Sequence, residues 1–178
     1  MDTAGRINAA ALADVLRMSI EQGHQPTLTV TSNSMMPLLM RGDQVTLTAV
    51  PPTGPRPGDV ITFLSLSGQD LMTHRFWQTV MQDGRPYFQT RGDRPLQFDP
   101  LLPPEQVIGR VEQRQRNGRI LTISSGAGAK LNHHLARLAQ WEQNNRPNRL
   151  IRRILLAWAF AISVILTFRQ SPIGNRKS

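Results

Sequence analysis

A chain of 178 residues is long enough for one hydrophobic core and too short for two ordinary domains. It contains no cysteine, which excludes disulfides and thiolate metal sites, and its four histidines, at 24, 74, 133 and 134, lack metal-ligand spacing, so neither a metal nor another cofactor is expected. The formal charge of +9 belongs to one end: residues 1–145 carry 14 basic and 12 acidic side chains, whereas residues 146–178 carry seven basic ones and no acid. That basic end brackets an apolar run, and no recognised nucleic-acid module stands beside it, so a nucleic-acid partner is not expected.

The first segment, residues 1–24, reads as an amphipathic helix. Thr3 can cap it, Ile7, Ala11, Leu12, Val15, Leu16 and Met18 recur at helical spacing opposite Asn8, Asp14, Arg17 and Glu21, and Gly23 supplies a stop. It carries Asp2 and Asp14 and no continuous apolar core, unlike a signal peptide. Packing on the body is its expected use, with a partner or membrane surface as the alternative. From Thr27 the period changes to two. Thr27–Thr31 alternates around Leu28 and Val30, and Gln44–Val50 around Val45, Leu47 and Ala49. A proline-rich loop at Pro51–Pro57 precedes Val60–Leu66. Leu71–Met81 turns at Asp83-Gly84 into Tyr87–Thr90, and Val107–Arg116 turns at Asn117-Gly118 into Arg119–Ser124. Residues 25–125 are therefore expected to form a β-rich body.

After Ser124-Ser125-Gly126 the pattern becomes helical, with Leu131, Leu135 and Leu138 on one face, giving a connector over residues 126–149 that ends near the breaker Asn144–Pro147. Residues 150–178 contain the uncharged run Ile154–Phe168. Its fifteen residues span roughly 22 Å as a helix against about 30 Å of hydrocarbon, and the count lengthens if Arg152 and Arg153 snorkel to the headgroups. It is apolar on all sides, so the expectation is a short membrane anchor, with a terminal helix covering the body as the alternative.

The chemistry concentrates in three places. Ser34 stands in SNSMMPLLMRGD, His74 in LMTHRF, and Asp93 and Asp99 in TRGDRPLQFD. A serine hydroxyl is a poor nucleophile at neutral pH and must lose its proton as it attacks, so it needs a base within hydrogen-bond reach. Imidazole suits that task because it titrates close to working pH. A carboxylate on the other ring nitrogen fixes the tautomer and stabilises the imidazolium, a purpose that Asp93 or Asp99 can serve. Asp43 and Asp59 follow glycines in turn contexts and read as turn formers, Arg75 as a partner for the acidic segment or a backbone carbonyl.

Five boxes in one order carry a resemblance. Ser32, Ser34, Met35 and Pro37, followed by Gly42 and Asp43, fit S-x-S-M-x-P followed by G-D; Pro57, Gly58, Asp59 and Phe63 fit P-G-D-x-x-x-F; His74 and Arg75 form a His-Arg pair; Gly92, Asp93 and Asp99 fit G-D followed by a second aspartate; and Val107–Val111 closes the set. Over about Thr27–Val111 the chain resembles the signal peptidase I superfamily, which includes the LexA-type self-cleaving repressors, and specifically its archaeal and endoplasmic-reticulum branch, where histidine stands in place of lysine.

The resemblance implies a signal-peptidase-like or LexA-like, mainly β catalytic body, here with an N-terminal helix and C-terminal helices. It implies Ser34 as nucleophile, His74 as general base, Asp99 as orienter with Asp93 in support, and an oxyanion site built from the Ser32 hydroxyl and the Ser34 backbone N–H. Where the family usually has glycine between the two serines this chain has Asn33, a residue that tolerates positive φ. Met35, Met36 and Pro37 are expected to contact an extended peptide, although flexible Met also serves as core. The implied activity is serine endopeptidase cleavage of a leader or signal segment from a precursor peptide or protein. The alternatives are a self-cleaving LexA-like regulator, with Ala4-Gly5 or Ala127-Gly128 as candidate bonds, and a non-catalytic peptide-binding adaptor. The expected setting is the inner membrane of a prokaryotic cell, reached through the C-terminal helix, with the side of the catalytic body left open.

Overall fold

A computed structural model of the protein describes residues 8–145, 151, 154, 155 and 157–162. Its order is α1 (Ala9–Glu21), β1 (Thr27–Thr29), β2 (Gln44–Thr48), β3 (Val60–Leu64), β4 (Leu71–Gln82), β5 (Arg85–Arg91), a 3-10 turn at Pro104–Gln106, β6 (Val107–Arg116), β7 (Arg119–Thr122) and α2 (Gly126–Asn145). The seven strands form one antiparallel sheet in the order β1-β2-β6-β3-β4-β5, with β7 also paired to β6. The body is thus mainly β, as its period-two segments require. The strands stop short of several expected ends, at Thr29, Thr48, Leu64 and Thr122, while β5 begins earlier, at Arg85.

β6 is the spine of the sheet. One edge pairs with β2, the other with β3 along its first half and β7 along its second, with register shifts at Thr46/Leu47 and Thr62/Phe63. All of β3 is buried because both of its faces are covered. Val60 and Leu64 join the core that α1 and α2 cover, while Ile61 and Phe63 pack with Phe76 and Leu102 on the other face. Each such side chain, fully withdrawn from water, contributes about 1.5–3 kcal/mol.

α1 starts one turn later than Thr3 would place it. Asn8 is the N-cap, its Oδ1 accepting the Ala10 N–H at 3.0 Å, and Thr3 and Ile7 lie outside the described residues. The stop is where expected: Gly23, at φ +82°, donates to the Ile20 carbonyl while His24 donates to that of Ser19, a Schellman closure. The buried face differs from the expected one. Ala13, Leu16 and Ile20 enter the core, whereas Val15 and Met18 are 55% and 52% exposed. Gly109 accounts for the rotation, because a Cβ there would sit 2.8 Å from Ile20 Cδ1, so the helix is seated by Ile20 lying directly on bare β6 backbone.

α2 is pinned to the sheet by two arginines. Arg91 of β5 lies 4.6 Å over the Trp77 ring and donates to the Ala139 carbonyl and Gln143, and Arg75 of β4 donates to Asn132. Most of the expected anchor, residues 150–178, lies outside the described residues. Of its described part, Ala159 joins the main core and Ile154 and Trp158 are exposed. No helix among the described residues is long and apolar enough to cross a membrane.

Candidate active site

The site begins with the alternation of β4. Neighbouring residues of a strand point to opposite faces, so the adjacent pair His74 and Arg75 serves two different surroundings. His74 pairs across the sheet with Ile61 and meets the edge of Phe63 at a ring separation of 6.2 Å, on the face away from α2. Arg75 faces α2. It grips Asp93 through Nε and Nη2, both at 2.7 Å, and its Nη1 donates to the Gly58 carbonyl at 2.8 Å and Asn132 at 2.6 Å.

The Ser34 segment follows β1 and folds into a short helical turn. Met36 N–H donates to the Asn33 carbonyl and Leu39 N–H to that of Met35. Three groups brace this turn. Arg116 holds Asp43 with two bonds of 2.7 Å, Arg114 and Arg116 both donate to the Leu38 carbonyl, and Asp43 accepts the Met40 N–H at 2.8 Å. Burial, with the neighbouring Arg116 charge adding to it and Asp43 opposing, lowers the Arg114 guanidinium to about 10. The acidic segment docks on the same turn: Arg94 N–H donates to the Ser34 carbonyl at 2.8 Å. Gly92 permits that approach, since a Cβ there would lie 3.0 Å from the Ser34 carbonyl oxygen and 2.8 Å from Pro95.

These elements bring Ser34, His74 and Asp99 into one line. His74 Nε2 is 3.0 Å from Ser34 Oγ and His74 Nδ1 is 2.7 Å from Asp99 Oδ2. A carboxylate accepts hydrogen bonds, so the Nδ1 side carries the proton, which leaves Nε2 as the ring nitrogen that can accept from the Ser34 hydroxyl. Both His74 and Asp99 side chains are shielded, at 8% and 16% exposure, which strengthens the pairing relative to water. Ser32 Oγ is 3.1 Å from Ser34 Oγ, and it accepts the Ser34 N–H in a long hydrogen bond of 3.4 Å. The two groups expected to receive an oxyanion therefore stand beside the serine oxygen and bond each other.

Other expected residues take different places. Asp93 makes its bonds to Arg75, not to His74. Asn33 does not adopt positive φ; its side-chain oxygen accepts the Arg41 N–H at 2.9 Å and closes the loop instead. Asp59 accepts the Arg56 N–H in its turn, as Asp43 does that of Met40.

A groove of about 590 Å³ opens beside Ser34 and His74, between the chain at Leu28–Ser32 and the start of β4. Met35 and Leu39, one helical turn apart, form part of its wall, while Met36 and Pro37 are not among its lining residues. Pro37, pointing the other way on that turn, faces Asp93 and Leu135 of α2. Ala9 and Leu12 of α1 also line the groove, a contribution that helical periodicity alone does not assign to a site. Among the described residues no group of three or more His, Asp or Glu side chains is placed to hold a metal.

No family model matches the chain, and no curated protein matches it.

Proposed function

We propose that the protein is a serine endopeptidase that removes a leader or signal segment from a precursor through an acyl-enzyme, and that its fold is of the signal-peptidase/LexA kind that its five boxes resemble. The observation that carries the reading is the line Ser34 Oγ, His74 Nε2, His74 Nδ1, Asp99 Oδ2, with separations of 3.0 and 2.7 Å. A nucleophile, a base and an orienting carboxylate at hydrogen-bond distance are what acyl transfer through serine demands.

In the proposed reaction Ser34 Oγ attacks the carbonyl carbon of the scissile bond as its proton passes to His74 Nε2. The carbonyl electron pair moves onto oxygen, where the Ser34 N–H and the Ser32 hydroxyl receive it. Collapse breaks the C–N bond, His74 gives its proton to the leaving amine, and Ser34 holds the acyl group. Water then repeats the sequence, losing its proton to His74, and Ser34 leaves with that proton. Asp99 stabilises the imidazolium at each transfer. The substrate lies extended in the groove, where β1, the edge strand of the sheet among the described residues, offers its outer edge for strand addition.

Of the two candidate self-cleavage bonds, Ala4-Gly5 lies outside the described residues, and Ala127-Gly128 receives no support from this arrangement, since that bond lies in α2 with Gly128 buried against β7. Membrane association through the C-terminal helix belongs to the same proposal. It is supported by seven basic residues without an acid over 146–178 and by exposed Ile154 and Trp158, and the inner membrane of a prokaryotic cell is the proposed location. Flotation with anionic vesicles, lost on deleting residues 150–178, tests that part.

The activity is tested by incubating a diverse peptide mixture with the protein, Ser34→Ala and His74→Ala, and sequencing new termini by mass spectrometry. New termini are expected with the first alone. Equal cleavage by all three, or none by any, overturns the reading.

A further inference from the structure

The Asp99 carboxylate is held by more than His74. Its Oδ2 accepts a second hydrogen bond, from the Thr90 hydroxyl at 2.7 Å, matching the bond from His74 to the same atom. The Asp99 backbone N–H also donates to the Thr90 carbonyl oxygen at 2.9 Å. Thr90 is fully buried on β5, opposite Phe76 and two residues across from the His74 row of β4. Asp99 sits outside any strand, between β5 and the 3-10 turn, where no ladder fixes a side chain.

We infer that Thr90 is the positioning residue of the site: its hydroxyl locks Asp99 Oδ2 so that His74 donates from Nδ1 and keeps Nε2 free to accept from Ser34. The terminal torsion of an aspartate is soft, and two oxygens related by rotation compete for the same donor. Filling one face of Oδ2 with a rigid strand hydroxyl removes that freedom. Thr90 is closed to solvent, so its hydroxyl has no water to bond in place of Asp99. Replacing a threonine of merely structural role by valine, of similar shape and strand preference, would cost at most some stability and would leave the His74 ring proton and the Ser34 rate per folded molecule unchanged. The hydroxyl is thus the one part of the side chain that packing does not require.

This inference rests on the peptidase reading for its kinetic test and stands apart from it for its spectroscopic one. A ring N–H in a short bond to a carboxylate gives a proton resonance far downfield of the amides, identified by its loss in His74→Ala and Asp99→Ala. Phosphonylation of Ser34 by a fluorophosphonate, in which oxygen displaces fluoride at phosphorus, is followed by intact mass. In Thr90→Val the resonance is expected to move upfield and exchange faster, and the labelling rate to fall roughly ten- to a hundredfold. Thr90→Ser restores both, and Thr90→Ala replaces Thr90→Val if that variant fails to fold. A folded Thr90→Val with the unchanged resonance and rate overturns the inference, as does absence of the resonance from the unaltered protein. If Ser34 of the unaltered protein never labels, the nucleophile reading falls while the resonance still decides for or against Thr90.

Discussion

On the proposed mechanism one aspartate of TRGDRPLQFD serves chemistry and the other stability, and replacing each with alanine tests the difference. Asp99 contacts His74 at 2.7 Å with both side chains largely shielded. Charges about 4 Å apart at an effective dielectric of about 20 attract by roughly 4 kcal/mol, which the imidazolium formed during attack would lose in Asp99→Ala. At about 1.4 kcal/mol per factor of ten, that is about a thousandfold in the rate of Ser34 acylation or phosphonylation. The melting temperature should fall by only a few degrees, because the buried Thr90 hydroxyl left unpaired costs about 1–2 kcal/mol. Asp93→Ala should behave in the opposite way. It leaves Arg75, 2% exposed, without the anion that two of its nitrogens hold, at a cost of about 3–5 kcal/mol in stability. That corresponds to a fall of about 10 °C in melting temperature, with a rate per folded molecule within about tenfold of the original. The assay is the second-order labelling rate with a fluorophosphonate, corrected for folded fraction from circular dichroism. Equal rate losses in the two variants, or an undiminished rate in Asp99→Ala, would refute the assignment of the carboxylates.

Three further outcomes follow from single contacts. Ser32→Ala should slow acyl transfer about a hundredfold while leaving the melting temperature unchanged, since Ser32 is exposed and its hydroxyl stands 3.1 Å from Ser34 Oγ; steady-state cleavage of a peptide found with the mixture above reads this. Gly92→Ala places a methyl against Pro95 and the Ser34 carbonyl, so about 1–3 kcal/mol of stability and part of the labelling rate should disappear together, as measured by chemical denaturation and phosphonylation. Arg91→Leu removes the donor to the Ala139 carbonyl and Gln143, and hydrogen exchange should speed up in the second half of α2 before it does in β4.

The residues that the fold brings into one line are legible because their types are constrained: a serine in a turn, a histidine in an alternating strand and a carboxylate downstream. Both hairpin turns were legible for a similar local reason, as Asp83 and Asn117 adopt positive φ before glycine. What was not legible depends on contacts between distant segments. Nothing in the spacing of Asp93 and Asp99 says which one meets His74; the path of residues 92–99 across the Ser34 turn decides it, along with the opposed faces of His74 and Arg75. Thr90 carried a usable signal, as a polar residue in a buried strand position immediately ahead of Arg91-Gly92-Asp93, yet its partner lies nine residues on, beyond the end of the strand. Arg114 and Arg116 lie in an unbroken polar stretch, residues 112–116, with no alternation to assign them a face, and their grip on Leu38 and Asp43 is visible only once β6 lies beside the turn. The face of α1 was misjudged for want of one fact, that Gly109 leaves room for Ile20. A period of 3.6 shows that a stripe exists; the surface it meets selects which neighbouring residues are covered.

The most direct test of the account is the location of a covalent adduct. After exposure of the full chain to a fluorophosphonate, tryptic mapping should place one phosphonyl group on Ser34, with the adduct absent from Ser34→Ala and strongly reduced in folded His74→Ala. An adduct on another residue, or labelling of Ser34 that proceeds equally fast without His74, would contradict it.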